Sequence, residues 1–347
     1  MTETQKALLL DKKFGDFFVG TTEKYKPGPD EILIKVQSAA LNPVDWKIQR
    51  YGAIIEKFPA VLGVDIAGDV EDVGEGVTKF KVGERIFCHT EWTKSPHAAF
   101  QQYAISLAVT AAKIPSNISY DQVATIPAVL STAYLGLYNK KPHGAGLTPP
   151  FTPAGEGKYI GEPLIVIGGA SSVGQLTIQL ARLSGFSPLI VTASLKHTDF
   201  LKSLGATHVL DRNLQLDAVR EELDKITGGK AVKIVYDAIS LAATQKLAWD
   251  LVGPGGQLIV VLSAEVEPED GKVIVSVLSG LRMPNNLEPL EELYNRHIAG
   301  LLERGVIKPT RVEVLPNGLS GIPEGLKRMQ ADQVSGVKLV ARPQETA

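Results

Sequence analysis

The stretch VIGGASSVGQLTIQLA, Val166–Ala181, decides how this chain is read. Just before it, LIVIG supplies an apolar run of strand length. After it, QLTIQLARL supplies a helix, because Val173, Leu176, Leu180 and Leu183 recur at intervals of 3, 4 and 3 residues and form one stripe. A glycine turn between strand and helix is a place where backbone N–H groups can receive a pyrophosphate, provided no side chain intrudes. Against the pattern G-x-G-x-x-G the residues are Gly169, Ser171 and Gly174, two glycines of three. Ser171 offers a hydroxyl, Ser172 and Val173 offer amides, and Gly174 lets helix and strand approach closely. The same letters also fit a tight turn of a doubly wound fold that holds no nucleotide.

The surrounding sequence has two textures. The first 130 residues read as short β segments punctuated by glycine and proline (KALLL, EILIKVQSA, GVDIAGDVEDVG, RIFCH, FQQYAI), which predicts a mostly antiparallel barrel or sandwich. From Leu164 onward, LIVIG, PLIVTAS, THVLD, VKIVYDAI and GQLIVVLS are continuous apolar runs alternating with helical segments. That rhythm predicts an α/β fold with a parallel sheet covered on both faces. The expected organisation is therefore 1–130 as a first domain, 131–287 as a dinucleotide-binding domain and 288–347 as a return segment completing the first. In the return segment, LEPLEELYNRHIAGLLERG reads as an amphipathic helix and GVKLVAR as a closing strand. Residues 139–163, dense in proline and glycine, read as a surface loop. KVIVSVLSG, Lys272–Gly280, reads either as an interface strand or as a covered sixth strand.

The choice of dinucleotide is argued from the end of the strand after the loop. A chain that selects NAD places Asp or Glu there, roughly 20 residues past the loop, on the ribose hydroxyls. Here VTASLKHTDF offers Ser194, Lys196 and His197, and VLDRN adds Arg212 at the same expected edge. Cations in place of a carboxylate favour a 2'-phosphate, so the expected cofactor is NADPH. Leu262 and Ser263, at the end of the fifth strand, are expected to line the nicotinamide pocket, because ligands lie beyond the carboxyl ends of parallel strands.

Composition excludes several classes. With 36 Lys and Arg against 38 Asp and Glu, the formal charge of −2 leaves no footprint for nucleic acid or an anionic membrane. No apolar segment approaches the roughly 20 residues of a membrane span, and ALLL near the start is too short for a signal peptide's core. A cytoplasmic protein is expected. The single cysteine, Cys88, excludes an internal disulfide and a cysteine-based zinc cluster. The six histidines show no metal-ligand spacing and are expected at the surface or as caps. No G-x-S-x-G elbow accompanies Ser171 and Ser172, which disfavours hydrolase chemistry.

The segment from Ala40 to Phe87, ALNPVDWKIQRYGAIIEKFPAVLGVDIAGDVEDVGEGVTKFKVGERIF, together with GGASSVG, resembles the zinc-independent medium-chain dehydrogenase/reductase superfamily, and within it fungal trans-acting enoyl reductases and related alkene or quinone reductases. The resemblance implies a GroES-like β-barrel catalytic domain interrupted by a Rossmann domain, with the active site in the cleft between them. The zinc alcohol dehydrogenases of that superfamily surround a metal with cysteine and a Gly-His-Glu segment. Here LNPVDWK and GVD stand instead, so Asn42 and Val64 occupy the ligand regions and no metal site is expected. Cys88 and His89 are adjacent and would point to opposite faces of a strand.

Without a metal, oxygen that gains charge during hydride addition needs another donor, and Lys47 suits that role. Asn42 is expected to shape the turn before it or to contact the cofactor amide. The resemblance places Thr132, in AVLSTAYLGLY, against the nicotinamide and its ribose, and places Tyr51 where related reductases carry a proton-donating phenol. The expected activity is NADPH-dependent reduction of activated carbon–carbon double bonds in a small enone, enoyl thioester or quinone, with a carrier protein or polyketide synthase as a further possible partner. The alternatives are an NADPH quinone oxidoreductase and a non-catalytic NADPH-binding protein.

Overall fold

The computed structural model describes residues 3–91, 93–281, 283 and 285–347. The chain forms two compact units: one holds the residues up to Ala128 and again from Leu290, the other holds Val129–Ser279. Among the described residues no helix is long and apolar enough to cross a membrane.

The first unit is built on antiparallel pairs. Its strands before the crossing are β1 (Thr4–Leu10), β2 (Phe17–Glu23), β3 (Glu31–Ala40), β4 (Ala60–Val61), β5 (Asp65–Val73), β6 (Arg85–His89), β7 (Tyr103–Leu107) and β8 (Ala111–Lys113). A small sheet runs β2-β1-β4, and β3 is the spine of the larger one, pairing with β5 and β7. The core between them collects Leu8, Leu10, Ile34, Ile66, Ile86 and Phe100, each no more than 1% exposed. Three helices follow the strands closely: α1 (Pro43–Tyr51), α2 (Tyr120–Ala124) and α3 (Pro127–Tyr138), the last being where the chain passes into the second unit.

The second unit holds six parallel strands: β9 (Leu164–Ile167), β10 (Leu189–Ala193), β11 (His208–Asp211), β12 (Ile234–Asp237), β13 (Gln257–Val260) and β14 (Val273–Ser276). Their order is β11-β10-β9-β12-β13-β14. The order reverses between β9 and β12, which opens the crevice where such folds bind ligands. LIVI, LIVTA, IVYD and QLIV are buried at every position. Continuous apolar strands are required here because helices cover both faces: α4 (Ser172–Leu183), α5 (Thr198–Leu204), α6 (Leu216–Thr227) and α7 (Ala242–Leu251). Leu176 and Leu180, the middle of the α4 stripe, are fully buried. Of the two readings of KVIVSVLSG, β14 takes the sixth-strand position, at the sheet edge, with Val273 46% exposed.

The chain closes in the first unit with β15 (Val312–Val314) and β16 (Lys338–Ala341), β16 pairing with β3. The expected amphipathic helix near residues 287–303 is present but carries a π-helical turn at Leu293–His297. Residues 139–163 have no helix or strand, yet aromatic packing orders them: Phe151 stacks on Tyr134 with centroids 6.2 Å apart, and Tyr159 on Phe186 at 4.6 Å. The expectation for the histidines needs correction. His89 and His97 are neither exposed nor caps: both are buried, and His97 Nε2 reaches Glu31 at 2.9 Å, whereas His197 and His297 stand as helix N-caps, as expected.

Candidate functional site

In the second unit the turn after β9 is shaped by three glycines. Gly168 has φ +76°, a conformation that a side chain rarely adopts. A Cβ on Gly169 would lie 2.0 Å from Val191 Cγ1, and one on Gly174 would lie 2.5 Å from the Gly168 carbonyl oxygen. The sequence pattern pointed to Gly169 as the turn glycine, but the left-handed residue is Gly168, a neighbour that the G-x-G-x-x-G count skips.

Ser171 is the N-cap of α4. Its Oγ accepts the Gly174 N–H at 3.1 Å and its carbonyl accepts the Gln175 N–H. The hydroxyl expected to meet phosphate is thus engaged as an acceptor. A helix leaves its first amides without internal acceptors, and Ser172 and Val173 occupy the first two positions of α4. Buried Gln175 braces the turn by donating to the Ala170 carbonyl at 2.9 Å. A bare, positively polarised cradle of this kind fits a pyrophosphate.

The end of β10 supplies the neighbouring edge. Ser194 starts a short 3₁₀ turn, and the Arg212 N–H donates to the Ala193 carbonyl at 2.9 Å, so the segments that follow β10 and β11 leave the sheet side by side. The Lys196 and Arg212 side chains are exposed, and neither has an ion-pair partner among the described residues. Ser194–Thr198 carries no carboxylate, and Asp211, at the end of β11, accepts the Asn213 N–H. His197 is 6% exposed and stands as the N-cap of α5.

β13 ends at Val260, so Leu262 and Ser263 lie just beyond it, in a loop whose backbone is tied to its neighbours. Asp237 Oδ1 accepts the amides of Ile239 and Ser240, and Ser240, at φ +58°, accepts the Val261 N–H on its Oγ. Gln245, fully buried, donates to the carbonyls of Ser240 and Ser263 and accepts the Glu265 N–H. Sequence reasoning missed these three residues. The only trace was the turn-forming Asp and Ser of DAIS, since a glutamine inside a helix carries no signal of its own. On α3, Thr132 Oγ1 donates to Ser279 Oγ at 2.9 Å, and its carbonyl accepts the Tyr236 hydroxyl. Gly136, one turn on, leaves the room that the Tyr236 ring fills.

In the first unit Lys47 stands on α1, half-buried, with its ammonium 5.7 Å from the Trp46 ring centroid. Burial lowers its pKa from 10.5. Tyr51 closes the same helix, 6.1 Å from Trp46 and 62% exposed. Trp46 therefore groups the two side chains that the sequence singled out.

Beneath α1 lies a buried polar cluster. Asp45 accepts the Asn42 N–H at 2.7 Å. Asn42 Nδ2 donates to Asp65 Oδ2 at 2.8 Å, and Lys338 Nζ donates to both Asn42 Oδ1 and Asp65 Oδ2, at 2.8 and 2.7 Å. Burial pushes the Asp45 carboxyl up to about 7, against the amides of Asn42 and Gly63 and with help from the Asp65 charge. Burial also takes His89 down to about 4 and the Cys88 thiol up to about 12. Only Asn42 of this cluster had been singled out for the site. Asp65 and Lys338 are 273 residues apart, too far for any local pattern to join them.

With this geometry in view, comparison with known proteins is informative. The alcohol dehydrogenase GroES-like domain matches residues 28–128, and the zinc-binding dehydrogenase pattern matches residues 172–278. A zinc-type alcohol dehydrogenase-like protein of Schizosaccharomyces pombe is 32% identical over 97% of this chain and 99% of its own length. The chain belongs to the medium-chain dehydrogenase/reductase superfamily. It is an oxidoreductase fold with a GroES-like domain and a Rossmann-like parallel sheet. A trans-enoyl reductase of Aspergillus japonicus, himH, is 33% identical, covering 89% of each chain. Among solved structures, a crotonyl-CoA carboxylase/reductase in complex with NADP superposes with a TM-score of 0.77 at 17% identity, covering 99% of this chain and 96% of that one.

The second superfamily pattern names zinc, but the residues here do not fit it. The acceptor oxygens of Asn42 and Asp65 already bind the Lys338 ammonium, and Cys88 is fully buried. Among the described residues no group of three or more His, Cys, Asp or Glu is placed to hold a metal ion.

Proposed function

We propose that this medium-chain reductase uses NADPH to reduce activated carbon–carbon double bonds, without zinc. The reading is supported by the glycine turn between β9 and α4, by the exposed cations Lys196 and Arg212 after the next two strands, and by Lys338, which fills the polar centre of the barrel unit. The trans-enoyl reductase relatives support the substrate class.

In this reading the amides of Ser172 and Val173 hold the pyrophosphate, and Ser194, Lys196 and Arg212 hold the 2'-phosphate. The loop with Leu262 and Ser263, and Thr132 on α3, orient the nicotinamide end. NADPH when bound supplies a hydride, which passes with its electron pair to the β-carbon of the substrate. Lys47 then donates a hydrogen bond to the carbonyl oxygen as charge builds there, and its partial burial makes that charge–charge contact stronger than it would be in water. The α-carbon takes a proton from water or from Tyr51, whose exposure leaves solvent free to serve the same place.

The test is NADPH oxidation followed at a fixed pH with a 2-enoyl thioester, a simple enone and a benzoquinone. Turnover of the first two with formation of the saturated product is expected. Consumption of the quinone alone replaces this reading with a quinone reductase, and binding of NADPH with no turnover replaces it with a non-catalytic nucleotide binder.

A further inference from the structure

Asp65 is fully buried, and its two oxygens serve different elements. Oδ2 accepts Asn42 Nδ2 at 2.8 Å and Lys338 Nζ at 2.7 Å. Oδ1 accepts the Ala128 N–H at 2.6 Å. Asn42 is the N-cap of α1, the helix of Lys47, and Ala128 lies in the first turn of α3, the helix of Thr132. One carboxylate therefore meets the start of both helices.

Resting on the reductase reading above, we infer that Asp65, balanced by Lys338, is a positioning residue that fixes the starts of α1 and α3 and, through α1, places Lys47, without touching substrate itself.

The chemistry of the three donors explains why a carboxylate stands there. An ionised carboxylate offers about four lone-pair sites and no hydrogen. Ala128 N–H, Asn42 Nδ2 and Lys338 Nζ are donors only, so an amide at position 65 would have one acceptor oxygen for Ala128 or for Lys338 and an NH₂ pointing at the others. Asp65 Oδ1 accepts a first-turn amide of α3, and a negative charge there also complements the helix dipole. Asp65 is faced as well by Asp45 of α1 and by Cys88 and His89 of β6, whose charge states its carboxylate influences. Among the described residues Lys338 offsets it with a full positive charge at hydrogen-bond distance.

The experiment compares two charge-neutral double variants, because a single substitution that strands a buried charge can unfold the unit. In Asp65→Asn/Lys338→Met the amide oxygen still accepts from Ala128, and its NH₂ can donate to a turned Asn42. In Asp65→Ala/Lys338→Met the acceptor for Ala128 is gone. With an enoyl thioester and NADPH, kcat is expected to fall at least about tenfold more in the alanine pair than in the asparagine pair. The dinucleotide Kd is expected to stay within about twofold of wild type in both, since the cradle belongs to the other unit.

Hydrogen exchange of the peptide covering 126–134 gives a readout independent of turnover. It is expected to speed up at least about tenfold in the alanine pair and to stay near wild type in the asparagine pair. Equal exchange and equal kcat in the two variants overturns the inference, as does a lower melting temperature of the alanine pair with unchanged kcat and exchange. If the wild-type chain reduces no substrate, the reductase reading has failed by its own assay, and the exchange comparison still decides whether Asp65 holds α3.

Discussion

Lys47 shows how a single side chain departs from its ordinary chemistry. A surface lysine would be fully hydrated, whereas this one is half-buried beside Trp46 and its proton is more easily lost. Lys47→Met should lower kcat/KM for an enoyl substrate by about 100-fold, the range found when one oxyanion donor is removed, while the NADPH Kd stays unchanged. A loss confined to NADPH binding would assign Lys47 to the cofactor instead. Tyr51→Phe should cost no more than about threefold, because water reaches the place of an exposed hydroxyl.

At the other end of the proposed dinucleotide, Lys196→Ala and Arg212→Ala should each weaken NADPH binding about tenfold, or about 1.4 kcal/mol, and leave NADH binding alone. Titration by cofactor fluorescence separates the two dinucleotides, and an equal loss for both would remove these residues from 2'-phosphate recognition. These four positions stood out in the sequence because each lies beside a motif that fixes its place. Asp65, Lys338 and Gln245 did not, because their partners are assembled only by the fold.

At the scale of elements, the junction of β9 and α4 was the most legible part of the chain. A buried strand, a glycine turn and an apolar stripe agree on one geometry, and Leu176 and Leu180 are fully buried as that stripe requires. The letters gave Gly174 its close approach and overlooked Gly168. Gly168 supplies the left-handed backbone and Gly174 the close approach. Gly174→Ala would set a methyl 2.5 Å from the Gly168 oxygen and 2.8 Å from Gly169 Cα, with backbone rather than a flexible side chain in the way.

The helix start must then move off the turn. The expected cost is about 1–3 kcal/mol of stability, together with at least about tenfold weaker dinucleotide binding, because the Ser172 and Val173 amides move with it. Calorimetry on the variant, with and without NADPH, measures both, and undiminished binding would mean that the phosphates rest elsewhere. The π-helical turn at Leu293–His297 had no counterpart in the sequence reading, since LYNRH keeps the same amphipathic spacing as the α-helix around it. His89 was misplaced for a related reason. Single polar residues inside apolar strands, such as His89 in RIFCH, are assigned to solvent by composition but are carried inward by the strand's pairing.

At the scale of the whole molecule, two buried groups of the barrel unit make opposing contributions to acid stability. His89 has its pKa lowered from 6.5 to about 4 by burial, so the folded chain keeps it neutral while the unfolded chain protonates it. Its contribution is complete above 6.5 and is lost as the pH falls through 4, a change of about 3 kcal/mol. Asp45 has its pKa raised from 3.8 to about 7, again by burial first, so the folded chain holds a proton that the unfolded chain has given up. That contribution is complete below 3.8 and is lost as the pH rises through 7, a change of about 4 kcal/mol.

Between about pH 4 and 6.5 the two slopes have opposite signs, so the wild-type chain shows little of either. Substitution should expose them. Asp45→Asn, which keeps an oxygen for the Asn42 amide, should gain stability relative to wild type as the pH is raised from 4 to 7.5. His89→Leu should gain stability relative to wild type as the pH is lowered from 7 to 4. Urea midpoints measured across that range for the wild type, each variant and the pair would reveal the crossing, and curves running parallel to the wild type would show that neither group changes its protonation on unfolding.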